Sequence, residues 1–425
     1  MIGQRCYLVV MLDWDDMAAL EGALGSETGR RAAEDAATNL ARLATFRGLV
    51  LQLDDTCLRQ PADLRFDSLP ALCRSYRATM SKGRGEEHHM ASRRAAHVRE
   101  AADRDRFAAD TAGFRRELLA HCYRMAGSAH DAEDLVQETY LRAWRSYAGF
   151  EGRSSVRSWL YAIATNVCLT ALEPRRNRVL PSGLTGPCDE PERPPIRAAP
   201  GEVAWLGPLP DHWVADPAAA VVARESLRLA VIVSLQHLPA RQRAILILRE
   251  VLAFTAPETA RILGTTTAAV KSGLQRARAR LADLDTAPED LLEPTDRRAR
   301  ALLEGYVAAF ERADAGLLEQ VLRTDATLEA TPFRDWYAGQ ARCLHLLGTY
   351  VLGEPGDWRM SVTTANGQPA AAVYRRDAGG VHRAHGVVVL TPTVTGISRV
   401  VEFHDPALVT AFGFPDRLAA PGGVV

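Results

Sequence analysis

The 425-residue chain has no apolar run approaching the roughly 18 residues that cross a membrane as a helix. Its opening also lacks the basic start and unbroken apolar stretch of a secretory signal, because Asp13, Asp15 and Asp16 interrupt it. No CxxC pair and no Cys/His cluster at metal spacing occurs. The seven cysteines (Cys6, Cys57, Cys73, Cys122, Cys168, Cys188, Cys343) are scattered and odd in number, which suits reduced thiols in the cytoplasm. Charge of one sign is missing too: 51 basic against 52 acidic residues leave a formal net charge of -1. That balance argues against indiscriminate coating of nucleic acid and permits basic surfaces offset by acidic ones. There is no internal repeat. A cytoplasmic protein with no membrane contact is expected, long enough for two to four domains.

Residues 1–111 carry no motif. Asp15–Leu43 could be helical and Leu49–Leu53 a short strand, and the charged run Ser81–Arg106 reads as an exposed helix or a lead-in. An accessory domain and a start-site choice at Met90 are equally good explanations of this extension. From 112 to 178 the pattern is helical. Phe114, Leu118, Cys122 and Met125 recur at three- and four-residue steps, Ser128 with Asp131 resembles a capping box, and Val136, Tyr140, Ala143 and Tyr147 stripe the next helix. Residues 179–222 are rich in Pro and Gly and read as a linker. Helical patterning returns over 223–286. There Thr255-Ala256-Pro257-Glu258 offers an N-cap, an early Pro and an acid, Gly264 a stop, and Thr265-Thr266-Thr267 the next cap. Val270, Leu274, Ala277 and Leu281 stripe the last helix, and Lys271, Ser272, Gln275, Arg276, Arg278 and Arg280 carry its polar surface. This is a helix-turn-helix with a basic second helix.

Three pieces acquire meaning from their order. Asp131-Ala132-Glu133-Asp134-Leu135-Val136-Gln137-Glu138-Thr139 is followed by Tyr140-Leu141-Arg142-Ala143-Trp144, then by the run from Ser155-Val156-Arg157-Ser158-Trp159 to Asn166. About a hundred residues on, Leu238-Pro239-Ala240-Arg241-Gln242-Arg243 leads into the helix-turn-helix. Alone, the acids suit the positive end of a helix, and the basic Arg175, Arg176 and Arg178 suit a helix C-terminus. Together, over about 112–286, the pieces resemble regions 2 and 4 of a bacterial RNA polymerase sigma factor of the extracytoplasmic-function group. The resemblance implies a promoter reader and not an enzyme, with no cofactor of its own.

It also implies roles. Asp131, Asp134, Gln137, Glu138, Leu141 and Trp144 would dock on the clamp helices of the polymerase β′ subunit, and region 4 on the β flap. The −10 element, which must be melted and a base captured, would meet Arg153, Ser154, Ser155, Arg157, Trp159, Tyr161, Asn166, Arg175 and Arg176. Trp159 also lies on the apolar stripe and suits the core better. The −35 element would meet Thr267, Ala268, Lys271, Ser272 and Gln275 at bases or nearby phosphates, with Arg276, Arg278 and Arg243 mainly at phosphates. Gly273 departs from the family, which usually has a longer, often basic side chain there; its loss is expected to remove a phosphate contact.

After a break at Pro288–Pro294, residues 296–415 open with helices (Arg297–Ala313, Ala315–Leu322) and turn to strands at Trp358–Thr364, Ala370–Arg375, Val381–Leu390 and Val394–Phe403, with an Asn366-Gly367 turn. Tyr306-Val307-Ala308-Ala309-Phe310, Asp325-Ala326-Thr327-Leu328-Glu329, Trp336-Tyr337-Ala338-Gly339 opening a further helix, and the ending Asp405–Pro415 resemble the SnoaL-like branch of the NTF2-like α+β cone fold. The fold class is therefore multidomain: two all-α sigma domains, a linker and an α+β cone. Asp335, His345, Arg375, His382 and His385 are available for acid–base work, yet His382 and His385 stand three apart on one strand and should face opposite sides. A regulatory surface, through a small ligand or an intramolecular contact, is preferred to catalysis. A helix-turn-helix regulator and a SnoaL-type enzyme with an appended DNA-binding module are the alternatives; neither gives region 2 a role.

Overall fold

In a computed structural model the chain divides into two units, Met1–Val98 and Arg99–Val425. Residues 8–10 and 49–51 are described as backbone, and residues 102–152, 154–173, 177–189, 203–214, 225–282 and 290–418 in full. In the first unit β1 (Leu8–Val10) pairs antiparallel with β2 (Leu49–Leu51), Val9 opposite Val50. The expected strand at Leu49 is thus present, while the helix expected over 15–43 and most of the charged run lie outside the described residues.

The second unit begins with helical residues 102–111. Phe107 sets its ring against Trp144 and Tyr147, at 5.4 and 5.1 Å between centroids. Tyr147 Oη donates to Asp110 Oδ2 over 2.7 Å. These residues pack against the helices that follow. Three helices follow: α1 (Arg115–Ala126), α2 (Ala129–Tyr147) and α3 (Val156–Leu172). The expected Ser128 cap is formed, its side chain accepting from the Asp131 N–H at 3.2 Å.

The Pro-rich stretch was expected as a linker, but its described parts are fastened down. Leu180, Leu206 and Leu209 are buried. The Val179 N–H donates to Ala204 O at 3.0 Å, and the Ser182 N–H to Glu329 Oε2 at 2.8 Å. Apolar side chains between the prolines supply that anchoring, which composition alone does not reveal. A short helix, α4 (Asp211–Val214), ends the described stretch.

Region 4 comprises α5 (Leu229–Gln236), α6 (Ala240–Leu246) running on into a π-turn at Ile247–Val251, α7 (Ala256–Ile262) and α8 (Thr267–Ala282). The capping box at Thr255 and Glu258 is complete, Gly264 sits at φ 57°, and Thr266 Oγ1 accepts from the Ala269 N–H at 3.1 Å.

The C-terminal domain sets α9 (Arg297–Arg312), α10 (Ala315–Val321) and α11 (Gln340–Leu346) on one face of a mixed sheet. Its strands are β3 (Leu322–Thr331), β4 (Trp336–Ala338), β5 (Trp358–Ala365), β6 (Gln368–Arg376), β7 (His382–Thr393) and β8 (Gly396–Phe403), in the order β4-β3-β8-β7-β6-β5. A last helix α12 (Pro406–Ala411) precedes β9 (Arg417–Leu418), which pairs with β7. Two strands depart from expectation. Leu322–Thr331 is β3, paired parallel with β8, and Trp336–Ala338 is β4 ahead of the helix it was expected to open. Both depend on partners distant in sequence.

The sheet is covered on both faces. One face carries Leu328, Ala371, Val373, Val388 and Val400 beneath the domain's own helices. The other carries Ala370, Val387, Val389, Val401 and Phe403, which join a single core with regions 2 and 4 and the anchored linker. Apolar burial, favourable at about 25 cal/mol per Å², thus helps hold the sigma regions on the sheet.

Candidate polymerase and promoter interfaces

On α2, Asp134 keeps 65% of its side chain exposed, and Leu141 is 52% exposed. Gln137 is exposed, and Glu138 pairs with Arg142 one turn on at 2.6 Å. Asp131 is less free: Arg178 Nη2 holds it at 2.8 Å while Nη1 donates to Trp205 O at 2.6 Å, tying helix and linker together. Trp144 is half-buried against Phe107. Asp134, Leu135, Glu138, Val167 and Ala171 line an open groove of about 240 Å³ between α2 and α3. Four of the six expected docking residues, Asp134, Gln137, Glu138 and Leu141, thus share one accessible acidic–apolar face, with Asp131 and Trp144 at its packed margin.

The residues expected at the −10 element are divided. Ser155 caps α3, accepting from the Ser158 N–H at 3.1 Å, and Asn166 is exposed, though its Nδ2 donates back to Ala162 O at 2.8 Å. Ser154 is half-exposed. Trp159 packs on Phe150 at 4.8 Å, as its stripe position suggested. Tyr161, expected at DNA, is instead fully buried. Its ring meets His121 and Phe254, each at 5.3 Å, and its hydroxyl donates to Glu117 at 3.2 Å. Arg157 lies 4.6 Å from the Phe254 ring centre and pairs with Glu117 at 3.2 Å. The turn before α7 therefore covers this part of α3. Arg153, Arg175 and Arg176 lie outside the described residues.

The recognition helix is open. Ala268, Lys271, Gln275, Arg276 and Arg278 are exposed, and Thr267 and Ser272 half-exposed. Arg278 is tethered to Glu250 at 2.6 Å, a pair that phosphates would compete with. Arg243, expected at a phosphate, is buried at 1% exposure. Its guanidinium donates to Met125 O, to Gln236 Oε1 at 2.7 Å, to Leu238 O at 3.0 Å and to Asn177 Oδ1 at 3.2 Å. Burial lowers its pKa to about 10. It joins region 4 to region 2 and does not face DNA. Position 273 also faces inward: a Cβ on Gly273 would stand 2.6 Å from Ile245 Cδ1, so the glycine admits close packing of α8 on α6 and removes no phosphate contact.

A third cluster was missed in the sequence. Asn366, at φ 58° in the β5–β6 turn, is completely buried. Its Nδ2 donates to Tyr123 Oη and to Leu227 O, both at 2.7 Å; its Oδ1 accepts from the Leu209 N–H at 2.9 Å. Tyr123 Oη in turn donates to Gly207 O at 2.8 Å, and the Gly367 N–H to Asp211 Oδ1 at 2.8 Å. One side chain thereby links region 2, the linker, the entry to region 4 and the cone. The Asn-Gly turn was legible; its burial was not, because an exposed hairpin uses the same pair.

Comparison with known proteins agrees with this division. Residues 112–178 match the family model for sigma-70 region 2, and residues 228–281 that for sigma-70 region 4. The ECF RNA polymerase sigma factor SigG of Mycobacterium tuberculosis is 49% identical over 326 residues, 75% of this chain and 87% of that protein. The chain belongs to the extracytoplasmic-function RNA polymerase sigma factors. SigM of the same organism is 31% identical over 202 residues, 48% of this chain and 87% of that one. The crystal structure of M. tuberculosis SigJ superposes with a TM-score of 0.46 and 23% identity, covering 72% of this chain and 98% of that one. The protein is thus a transcription initiation factor that binds core RNA polymerase and promoter DNA. Its C-terminal domain is α+β, a mixed sheet with helices on one face.

Proposed function

We propose that the exposed face of α2 (Asp134, Gln137, Glu138, Leu141, with Asp131 and Trp144 at its edge) docks on the β′ clamp helices, that region 4 also meets the β flap, and that α8 reads the −35 element. Ala268, Lys271 and Gln275 reach base edges from the N-terminal half of α8, with Thr267 and Ser272 beside them, and Arg276 and Arg278 hold phosphates. Ser154, Ser155, Arg157 and Asn166 serve the −10 element once the turn carrying Phe254 moves away. The cytoplasm is the place of action, and the cone domain regulates and does not catalyse. It holds regions 2 and 4 together through Asn366. The observation that carries this reading is the unequal exposure of the three surfaces: the α2 and α8 faces are open, while Arg157 and Tyr161 lie under Phe254.

The test is run-off transcription with core polymerase on promoters selected from genomic fragments. The full chain should initiate at defined sites, and Asp134→Ala/Glu138→Ala should lose most initiation while keeping duplex −35 binding. DNA binding without initiation, indifferent to the double substitution, would move the protein to the regulator alternative.

A further inference from the structure

The buried turn at Asn366 carries a chemistry that its role as a joint does not use. The chain's asparagines are Asn39, Asn166, Asn177 and Asn366, and only the last precedes a glycine. That pair is the one most open to deamidation. The next main-chain nitrogen can close on the side-chain amide, and glycine puts no Cβ in the way. The Gly367 nitrogen would bond to Asn366 Cγ, the Cγ–Nδ2 bond would break, and ammonia would leave with the Gly367 N–H proton. The cyclic imide then takes up one water, and one of its two carbonyl carbon–nitrogen bonds breaks. The product is aspartate or isoaspartate. The net change is amide plus water to carboxylate plus ammonium, with no oxidant, reductant or second protein.

As folded, the groups this step needs are all engaged. Nδ2 gives one hydrogen to Tyr123 Oη and the other to Leu227 O, each at 2.7 Å, and Oδ1 accepts from the Leu209 N–H at 2.9 Å. Asp211 Oδ1 holds the Gly367 N–H at 2.8 Å. Asn366 is 0% exposed, which keeps water away, and the pairing of Ala365 with Gln368 fixes the turn on both sides. Ring closure requires those bonds to be given up and the turn to rotate. Their partners come from α1, from the linker and α4, and from the entry to region 4. Parting these segments removes the protection in one step and leaves an exposed Asn-Gly hairpin turn.

We infer that Asn366-Gly367 is a modification site unmasked by opening of the molecule, and that deamidation there turns a reversible joint into a one-way one. The inference rests on the reading that regions 2 and 4 part when the protein acts. The product does not restore the joint. A carboxylate has no hydrogen for Leu227 O, can meet Tyr123 Oη only if that hydroxyl leaves Gly207 O, and brings charge into a buried site. Isoaspartate also adds a carbon to the main chain inside the turn.

The test incubates the full chain in mildly alkaline buffer and follows residue 366 by peptide mass spectrometry, with Asn166 and Asn177 as internal references. Conversion in the wild type should be much slower than in a synthetic peptide of residues 362–374. When opening is fast, the rate follows the open fraction. Tyr123→Phe, which removes one buried partner, should therefore raise it roughly 5- to 150-fold. Urea below the unfolding transition should raise it in the wild type, a check that needs no substitution. Asn366→Asp should bind the −10 non-template strand more tightly than the wild type. Conversion in the wild type as fast as in the peptide, a rate indifferent to both Tyr123→Phe and urea, or wild-type strand affinity in Asn366→Asp would overturn the inference. An unchanged rate in a Tyr123→Phe variant that does gain strand affinity would remove the modification site and leave the opening intact.

Discussion

Arg243 shows how much one buried cation can organise. It is satisfied by main-chain and amide oxygens of Met125 at the end of α1, Asn177 beyond α3, Gln236 at the end of α5 and Leu238 in the turn before α6. A planar fork can meet several carbonyls at once where a lysine ammonium cannot. Arg243→Met should therefore destabilise by roughly 2–4 kcal/mol, since several buried acceptors lose their donor, and Arg243→Lys should recover little of it. Equilibrium urea unfolding measures both; wild-type stability in either variant would contradict the role. His121 is the pH-sensitive counterpart. Burial, with Arg124 nearby, lowers its pKa to about 3 from 6.5. Only its neutral form suits the site, so the unfolded chain binds the extra proton. The contribution is complete above about pH 6.5 and falls as pH drops towards 3, by at most about 1.4 kcal/mol per unit. His121→Gln should flatten this acid limb of a stability–pH profile between those values, and an unchanged limb would remove His121 as its source.

Elements differ in how plainly the sequence announces them. The caps at Ser128, Thr255 and Thr266 and the stop at Gly264 are local chemistry, and each was legible. β3 and β4 were not, since both rest on pairings with distant strands, and the bulge at His385 needed the register of β6. On α8 the local reading yields a measurable consequence. If Lys271, Arg276 and Arg278 each neutralise a phosphate, the triple alanine variant should flatten the plot of log affinity against log salt by about 2 to 3 units. A slope equal to the wild type would place these side chains away from the backbone. Gly273→Arg should not strengthen DNA binding, because position 273 points at Ile245; it should instead lower the melting temperature.

For the whole molecule, the sheet face that joins regions 2 and 4 makes the cone part of their core, and Asn366 is where the four segments meet. The structure leaves α2 open and packs Phe254 over the side of α3 proposed to meet the −10 element, so the two proposed binding events should be separable. Asn366→Ala removes two donated bonds and one accepted bond and leaves Tyr123 Oη, Leu227 O and the Leu209 N–H to find other partners, a loss of about 1–3 kcal/mol, or roughly 5- to 150-fold in a closed-to-open ratio. Affinity for the −10 non-template strand should rise by up to that factor in the free protein, whereas affinity for core polymerase should change little, because its face is already accessible. Fluorescence anisotropy with a labelled strand and with core enzyme distinguishes these. If both affinities rise together, closure also hides the docking face. If neither moves while the variant remains folded, the cone fastens the two regions by its apolar face alone, and Phe403→Ser on that face becomes the substitution that should open them.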